Sequence, residues 1–268
     1  MDINSLFSVK GKVVLVTGGA KGIGRMISEG FVRNGAKVYI SSRDATACNT
    51  AAQELNALSS SSTSPPGQAV ALPADLSKES ECHRLAATLS EREKQLHVLV
   101  NNSGATWGES FSEYPDSAWT KLLTLNLQRV FTLTQSLAPL LEAASTADAP
   151  SRIIHIGSID GIRVPVLSNF AYSASKAGLH HLARHLAVEL GPRGITSNVL
   201  ACGPFPSKMM AATLRAVGDE IRAASPLGRI GSPEDVAGAC LFLSSRAGGF
   251  VNGAILRLDG GISLMSKM

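Results

Sequence analysis

The chain has 268 residues, 44% of them hydrophobic and 17% charged, with a formal net charge of +4 at pH 7. That balance suits one covered α/β core and excludes a fibrous or disordered protein. Lys and Arg are dispersed, no apolar run approaches a membrane span, and the four cysteines form no Cys-x-x-Cys; nucleic-acid binding, membrane insertion and a disulfide framework are therefore not expected, and the thiols read as reduced.

The first element is Val13-Val14-Leu15-Val16, a β-branched run stopped by glycines, as a buried parallel strand is. Residues 23–34 have helical spacing and close at Gly35, and Val38-Tyr39-Ile40 is a second strand. Asp44 is placed to cap a helix that runs to about Leu58. Ser, Thr and Pro over 59–67 have the composition of a solvated loop. A strand at 69–72, a helix at 80–90 and a strand at 96–100 follow, then a long helical stretch over 116–144 that Pro139 is expected to bend or break. The series ends with strand 153–156, helix 170–190, strand 195–200, helix 233–243 and strand 254–258. Strands separated by helices imply right-handed crossovers, so the expectation is one Rossmann-type doubly wound α/β domain over 1–268, a seven-stranded, mostly parallel sheet flanked by helices.

The glycines cluster where a ligand would need backbone. Thr17-Gly18-Gly19-Ala20-Lys21-Gly22-Ile23-Gly24 stands between the first strand and its helix, where glycines let N–H groups and a helix N-terminus approach a pyrophosphate. An ordinary strand-to-helix turn needs one glycine. At the end of the second strand, an NAD site offers an acid to the ribose 2′-hydroxyl. Here Ser41-Ser42-Arg43 occupies that place, with Lys21 in the glycine loop, and two cations with a hydroxyl suit a 2′-phosphate. The cofactor expected is NADP(H).

Thr17-Gly18-x-x-x-Gly22-x-Gly24, Asn101-Asn102-Ser103-Gly104, Ser158 and Tyr172-Ser173-Ala174-Ser175-Lys176 resemble the short-chain dehydrogenase/reductase family in order and spacing, over nearly the whole chain. Ser42-Arg43-Asp44, Trp107-Gly108, Gly203-Pro204-Phe205-Pro206-Ser207-Lys208-Met209 and Asp259-Gly260-Gly261 are similar to β-ketoacyl reductases of the rhamnolipid type. The resemblance implies an enzyme that reduces a ketone or β-ketoacyl carbonyl with NADPH. It also implies that Asp75 and Leu76 border the adenine, that Asn102, Ser103 and Gly104 line the cofactor, and that Gly203, Phe205 and Ser207 meet the nicotinamide end. Cys202 stands where the family has proline. Asn126, in Leu125-Asn126-Leu127, matches the family position that holds a water in a proton relay.

Side-chain chemistry agrees with these roles. Tyr172 and Lys176 lie four apart, on one face of a helix. A phenol with an ordinary pKa of about 10 is a poor donor at neutral pH, and a nearby ammonium stabilises its phenolate. Lys176 is thus expected to tune Tyr172, the proton donor, and by resemblance to reach the nicotinamide ribose. Ser158, at the end of a strand, is expected to bind the carbonyl and the oxyanion that hydride addition creates.

Asp160 and Arg163, just past Ser158, read equally as ligand contacts or as a surface ion pair. His180, His181 and His185 cluster on one helix, and His181 and His185 have metal-ligand spacing but no third ligand, so no metal is expected, and the helix reads as a subunit contact in a homotetramer or homodimer by resemblance. Residues 204–231 are expected to form a substrate lid. The stretch 142–150 holds two acids and no Lys or Arg, which points away from docking an acidic carrier protein and toward a specialised carbonyl such as a CoA thioester or a polyketide or alkaloid ketone. A non-catalytic NADP-binding regulator is the alternative from another class. No secretory signal is read at 1–12, so the cytoplasm is expected, with the peroxisome as the alternative through Ser266-Lys267-Met268.

Overall fold

A computed structural model of the chain describes residues 2–59, 66–207 and 210–265; Lys208, Met209 and the Ser266-Lys267-Met268 tail lie outside them. Strands β1 (Val13–Thr17), β2 (Lys37–Ser41), β3 (Gln68–Ala71), β4 (Val98–Asn101), β5 (Ser151–Ser158), β6 (Ile195–Cys202) and β7 (Ile255–Leu258) form one sheet in the order β3-β2-β1-β4-β5-β6-β7. Every neighbouring pair is parallel, so the sheet is parallel throughout.

Strand alternation divides the core. Val14 and Val16 of β1 face one layer and Leu15 the other. The first layer packs on α2 (Gly22–Arg33), α3 (Ala45–Ser59) and α9 (Pro233–Ser244), through Ile27, Phe31, Leu55, Val236 and Leu243. The second packs on α4 (Glu79–Arg92), α6 (Arg129–Ala144) and α7 (Phe170–Leu190), through Leu85, Leu89, Leu137, Leu141 and Leu186. Because β1 pairs with β2 on one side and β4 on the other, the strand order reverses there. A crevice opens above the carboxyl ends of Thr17 and Asn101, the place where doubly wound sheets bind ligands.

Three elements differ from the sequence expectation. The stretch 116–144 is interrupted near Asn126 and not at Pro139: α5 (Asp116–Leu123) runs into a π-helical segment, Thr124–Gln128, before α6. Pro139 is carried inside α6 because Leu137, Ala138, Leu140 and Leu141 around it are buried, and packing outweighs the lost backbone bond. Within 204–231, α8 (Ala211–Ala224) is helical with a break at Val217 (φ −139°, ψ 32°). A short α1 (Ile3–Leu6) is capped by Asp2, whose Oδ2 accepts from the Ser5 N–H at 2.8 Å.

Arg152, the second residue of β5 beyond the acidic 142–150 stretch, is buried. Its Nε donates to the Leu243 carbonyl at 2.8 Å and Nη2 to Ser245 at 3.1 Å, so it closes the C-terminus of α9 instead of facing a partner.

Candidate active site

The glycine loop is built for close backbone approach. Gly18 (φ +64°) and Gly22 (φ +54°) are in the left-handed region. A Cβ on Gly24 would lie 2.2 Å from the Gly18 carbonyl and 2.5 Å from Asn102 Nδ2. Asn102 ties the loop to β4: its Nδ2 donates to the Thr17 carbonyl at 2.8 Å, and Thr17 Oγ1 accepts from the N–H groups of Asn102 (2.9 Å) and Ser103 (3.0 Å). Helix α2 begins at Gly22 with no side-chain cap and no acid in its first turn, so its N-terminal amides suit an anion. Ile23 follows in that first turn. A cradle that side chains would fill, ending at an uncapped helix, fits a dinucleotide pyrophosphate.

At the far end of the crevice, Asp44 caps α3 by accepting from the Ala47 N–H at 2.9 Å, while its second oxygen takes Lys21 Nζ at 3.0 Å. Lys21 and Asp44 also line a pocket of about 350 Å³ with Thr46, Thr50 and Glu54. Ser42 Oγ lies 3.1 Å from Cys48 Sγ, and Arg43 beside it is exposed. Asp75 accepts from the Ser77 hydroxyl at 2.8 Å, and Leu76 is buried in the second layer. A 2′-phosphate fits beside Arg43, with Asp44 held by Lys21 so that its charge is compensated.

Beyond the glycine loop, β5 and β6 deliver Ser158 and Cys202 as paired residues. Ser158 is buried, and its Oγ accepts from the Asp160 N–H at 3.1 Å at the start of a 3-10 turn, Ile159–Gly161. Its hydroxyl also acts on Tyr172, which is half-buried on the first turn of α7. Lys176 is buried one turn later, with Nζ 5.8 Å from the Tyr172 ring centroid and donating to the Ile156 carbonyl at 2.8 Å.

The expected lowering of the phenol by Lys176 is not what dominates here. Burial pushes Tyr172 up to about 12, against the Ser158 hydroxyl that draws it down, and burial pushes Lys176 down to about 8. The phenol therefore keeps its proton at neutral pH.

Asn126 faces the same cluster from the π-helical segment. Its Oδ1 accepts from the Ala105 N–H at 2.9 Å, and its Nδ2 donates to the Ala105 carbonyl at 2.9 Å and to Ser175 Oγ at 3.0 Å. Both amide groups are thus committed to positioning the loop after β4 against α7. A Cβ on Gly104 would stand 3.2 Å from Asn126 Oδ1 and 3.8 Å from Lys176 Nζ, so that glycine lets the loop pass both.

On the lid side, a Cβ on Gly203 would meet Asp259 Cα at 2.9 Å, and one on Gly22 would meet Ser207 Cβ at 3.1 Å, which sets the lid's first residues over the glycine loop. Phe205 is buried and turns its ring into the first core layer, against Gly231. Only its backbone is left to face the crevice.

Sequence reasoning did not single out Asn169, and it grouped His180 with the other histidines of a subunit contact, whereas the structure brings it to the site. His180 is buried, and its Nε2 accepts from the Ser158 N–H at 3.4 Å; burial and Lys176 push it down to about 4, so it is neutral. The signal was its spacing, four residues past Lys176 and eight past Tyr172 on one helical face. Asp160 and Arg163 do not pair: Asp160 accepts from Asn169 Nδ2 at 2.9 Å, and Arg163 Nη1 donates to the Ile262 carbonyl at 3.1 Å. His181 and His185 stack edge to face at 5.2 Å, and among the described residues no group of His, Cys, Asp or Glu is arranged to hold a metal. All four cysteines are free and buried.

Fold and site together define a dinucleotide-dependent oxidoreductase. Residues 18–263 match the family model described as enoyl-(acyl carrier protein) reductase. The chain is 42% identical over 261 residues to the rhamnolipids biosynthesis 3-oxoacyl-[acyl-carrier-protein] reductase of Pseudomonas aeruginosa, covering 96% of this chain and 98% of that one. It is 34% identical to the short-chain dehydrogenase/reductase PhomF of Diaporthe leptostromiformis, over 96% and 92% of the two chains. Among solved structures, the Pseudomonas aeruginosa RhlG/NADP active-site complex superposes with a TM-score of 0.90 at 41% identity, over 97% of this chain and 99% of that chain. The chain belongs to the short-chain dehydrogenase/reductase family, oxidoreductases that act on hydroxyl and carbonyl groups.

Proposed function

We propose that the chain reduces a ketone or 3-oxoacyl thioester to the alcohol, with NADP(H) as cofactor and Tyr172 as proton donor. The observation that carries this reading is the meeting of Ser158, Tyr172 and Lys176 at the carboxyl ends of β5 and β6, alongside the glycine cradle. NADPH, when bound, supplies hydride to the carbonyl carbon. Ser158 and Tyr172 hydrogen-bond the carbonyl oxygen and stabilise the charge that develops on it. Tyr172, protonated at neutral pH, gives its proton to that oxygen. Lys176 holds the cofactor side of the site, and Asn126, its side-chain amide committed to Ala105 and Ser175, braces the loop after β4 against α7.

NADP(H) is preferred over NAD(H) through Lys21, Ser42 and Arg43, since no free acid stands at the end of β2. Likeness to a 3-oxoacyl reductase and to an NADP complex supports the substrate and cofactor classes. Gly18, Ile23, Gly24, Asn102, Ser103 and Gly104 line the cofactor, with Asp75 and Leu76 at its adenine end. The chain works as one domain whose 204–231 segment closes over substrate, assembled as a homodimer or homotetramer. The four free thiols favour the cytoplasm.

NADPH oxidation over a panel of ketones and 3-oxoacyl thioesters tests the reading. Turnover of at least one panel member is expected, lowered about 10²–10⁴-fold in Tyr172→Phe. No turnover above that variant on any member would refute it.

A further inference from the structure

Ser158 and Tyr172 belong to different elements, and a turn of 14 residues' sequence separation lies between them. A chain of hydrogen bonds crosses that gap. Asp160 donates its N–H to Ser158 Oγ at 3.1 Å, and its carboxylate accepts from Asn169 Nδ2 at 2.9 Å. Asn169 is buried at the N-cap of α7, where its side chain makes no cap bond. Its Oδ1 instead accepts from Ser173 Oγ at 2.7 Å, and its carbonyl from the Ser173 N–H at 3.0 Å. The Ser158 turn is therefore fastened to the residues on both sides of Tyr172.

We propose that Asp160 is a positioning residue for the proton-donating pair: its carboxylate and N–H clamp the Ser158 turn to the first turn of α7, with its charge on the Tyr172 side of the site. This rests on Tyr172 being the donor. The groups facing the phenol are few. Ser158 and Asp160 approach from the end of β5, Cys202 from β6, and Lys176 from the same helix. Cys202 is itself held neutral, pushed up to about 12 by burial, and Lys176 is turned to the Ile156 carbonyl. Asp160 is thus the carboxylate of this set: burial raises its own pKa against the pull of Asn169 and Arg163, and its charge is among the influences that raise Tyr172, after burial. Its direct partner, Asn169, is neutral. Arg163 acts on it from farther off, with its own guanidinium hydrogen-bonded to the Ile262 carbonyl.

Asp160→Asn keeps the shape and the backbone N–H and removes the charge; Asp160→Glu restores the charge; Asn169→Ala opens the clamp. The chain has three tyrosines, so the difference in tyrosinate absorbance between each variant and the same variant carrying Tyr172→Phe isolates the ionisation of Tyr172. Tyr172 is expected to ionise about one pH unit lower in Asp160→Asn than in the wild-type enzyme, and near the wild-type value in Asp160→Glu. The alkaline limit of kcat/KM for reduction should move with it. In Asn169→Ala, kcat should fall about tenfold with the KM for NADPH unchanged. Tyr172 ionising alike in wild type and Asp160→Asn, or an undiminished kcat in Asn169→Ala, overturns the proposal. If no carbonyl is reduced by the wild-type enzyme, the reading of its activity fails, while the absorbance titration still decides the part played by Asp160.

Discussion

Lys176→Met should abolish turnover and stabilise the fold at neutral pH. The lysine is buried, and its pKa is pushed from 10.5 down to about 8 by loss of hydration. Each pH unit of displacement is worth about 1.4 kcal/mol, so the drop of about 2.5 costs the protonated folded state roughly 3 kcal/mol. Below pH 8 the lysine is charged in folded and unfolded chains alike, and that cost is fully present. Between pH 8 and 10.5 the folded state sheds its proton first, and stability rises. Above 10.5 both states are neutral and the cost has gone. Methionine matches the stem in length and carries no charge, but forfeits the hydrogen bond to the Ile156 carbonyl, worth about 1–1.5 kcal/mol. The variant should thus be about 1–2 kcal/mol more stable than wild type at pH 7 and about 1 kcal/mol less stable above pH 10.5. Urea denaturation of both cofactor-free proteins, followed by far-UV circular dichroism at the two pH values, measures the difference directly. A gap of the same size and sign at both would refute the reasoning, because only titration of Lys176 makes it change sign.

Gly24→Ala places a methyl 2.2 Å from the Gly18 carbonyl, so the loop must shift; NADPH affinity by fluorescence titration should fall more than about tenfold, and unchanged affinity would count against the cradle. Arg43→Ala should weaken NADPH binding about 10–100-fold and leave NADH binding unchanged, as loss of a charge-assisted contact worth about 1.5–3 kcal/mol requires; equal losses for both cofactors would remove Arg43 from the 2′-phosphate.

The strands were legible because a parallel sheet covered on both faces needs uninterrupted apolar runs, and β1 and β4 are buried along almost their whole length. The break at Asn126 was not. A polar residue between leucines announces that its side chain has partners, but Ala105 and Ser175 lie on two other elements, and local pattern carries no address for them. Pro139 misled for the converse reason, since propensity speaks of an isolated helix and α6 is held by its buried leucines. Asp160 showed the same limit: the sequence offered Arg163 three residues away, whereas the fold supplied Asn169 from the next element.

Among the described residues, the charged side chains that are fully buried are Arg152 and Lys176, and both are held by backbone carbonyls: Leu243 and Ser245 for the first, Ile156 for the second. A carbonyl dipole steadies a cation without fixing its charge as a carboxylate does. For Arg152, which stays protonated, the difference is slight. For Lys176 it is large, because a buried carboxylate partner would hold the lysine charged well above neutral pH, whereas the Ile156 carbonyl lets it fall to about 8. The acid of this neighbourhood is displaced to Asp160, on the Tyr172 side of the site. Burial acts on both groups, raising the phenol and lowering the lysine, and the charge of Asp160 adds to the first effect alone.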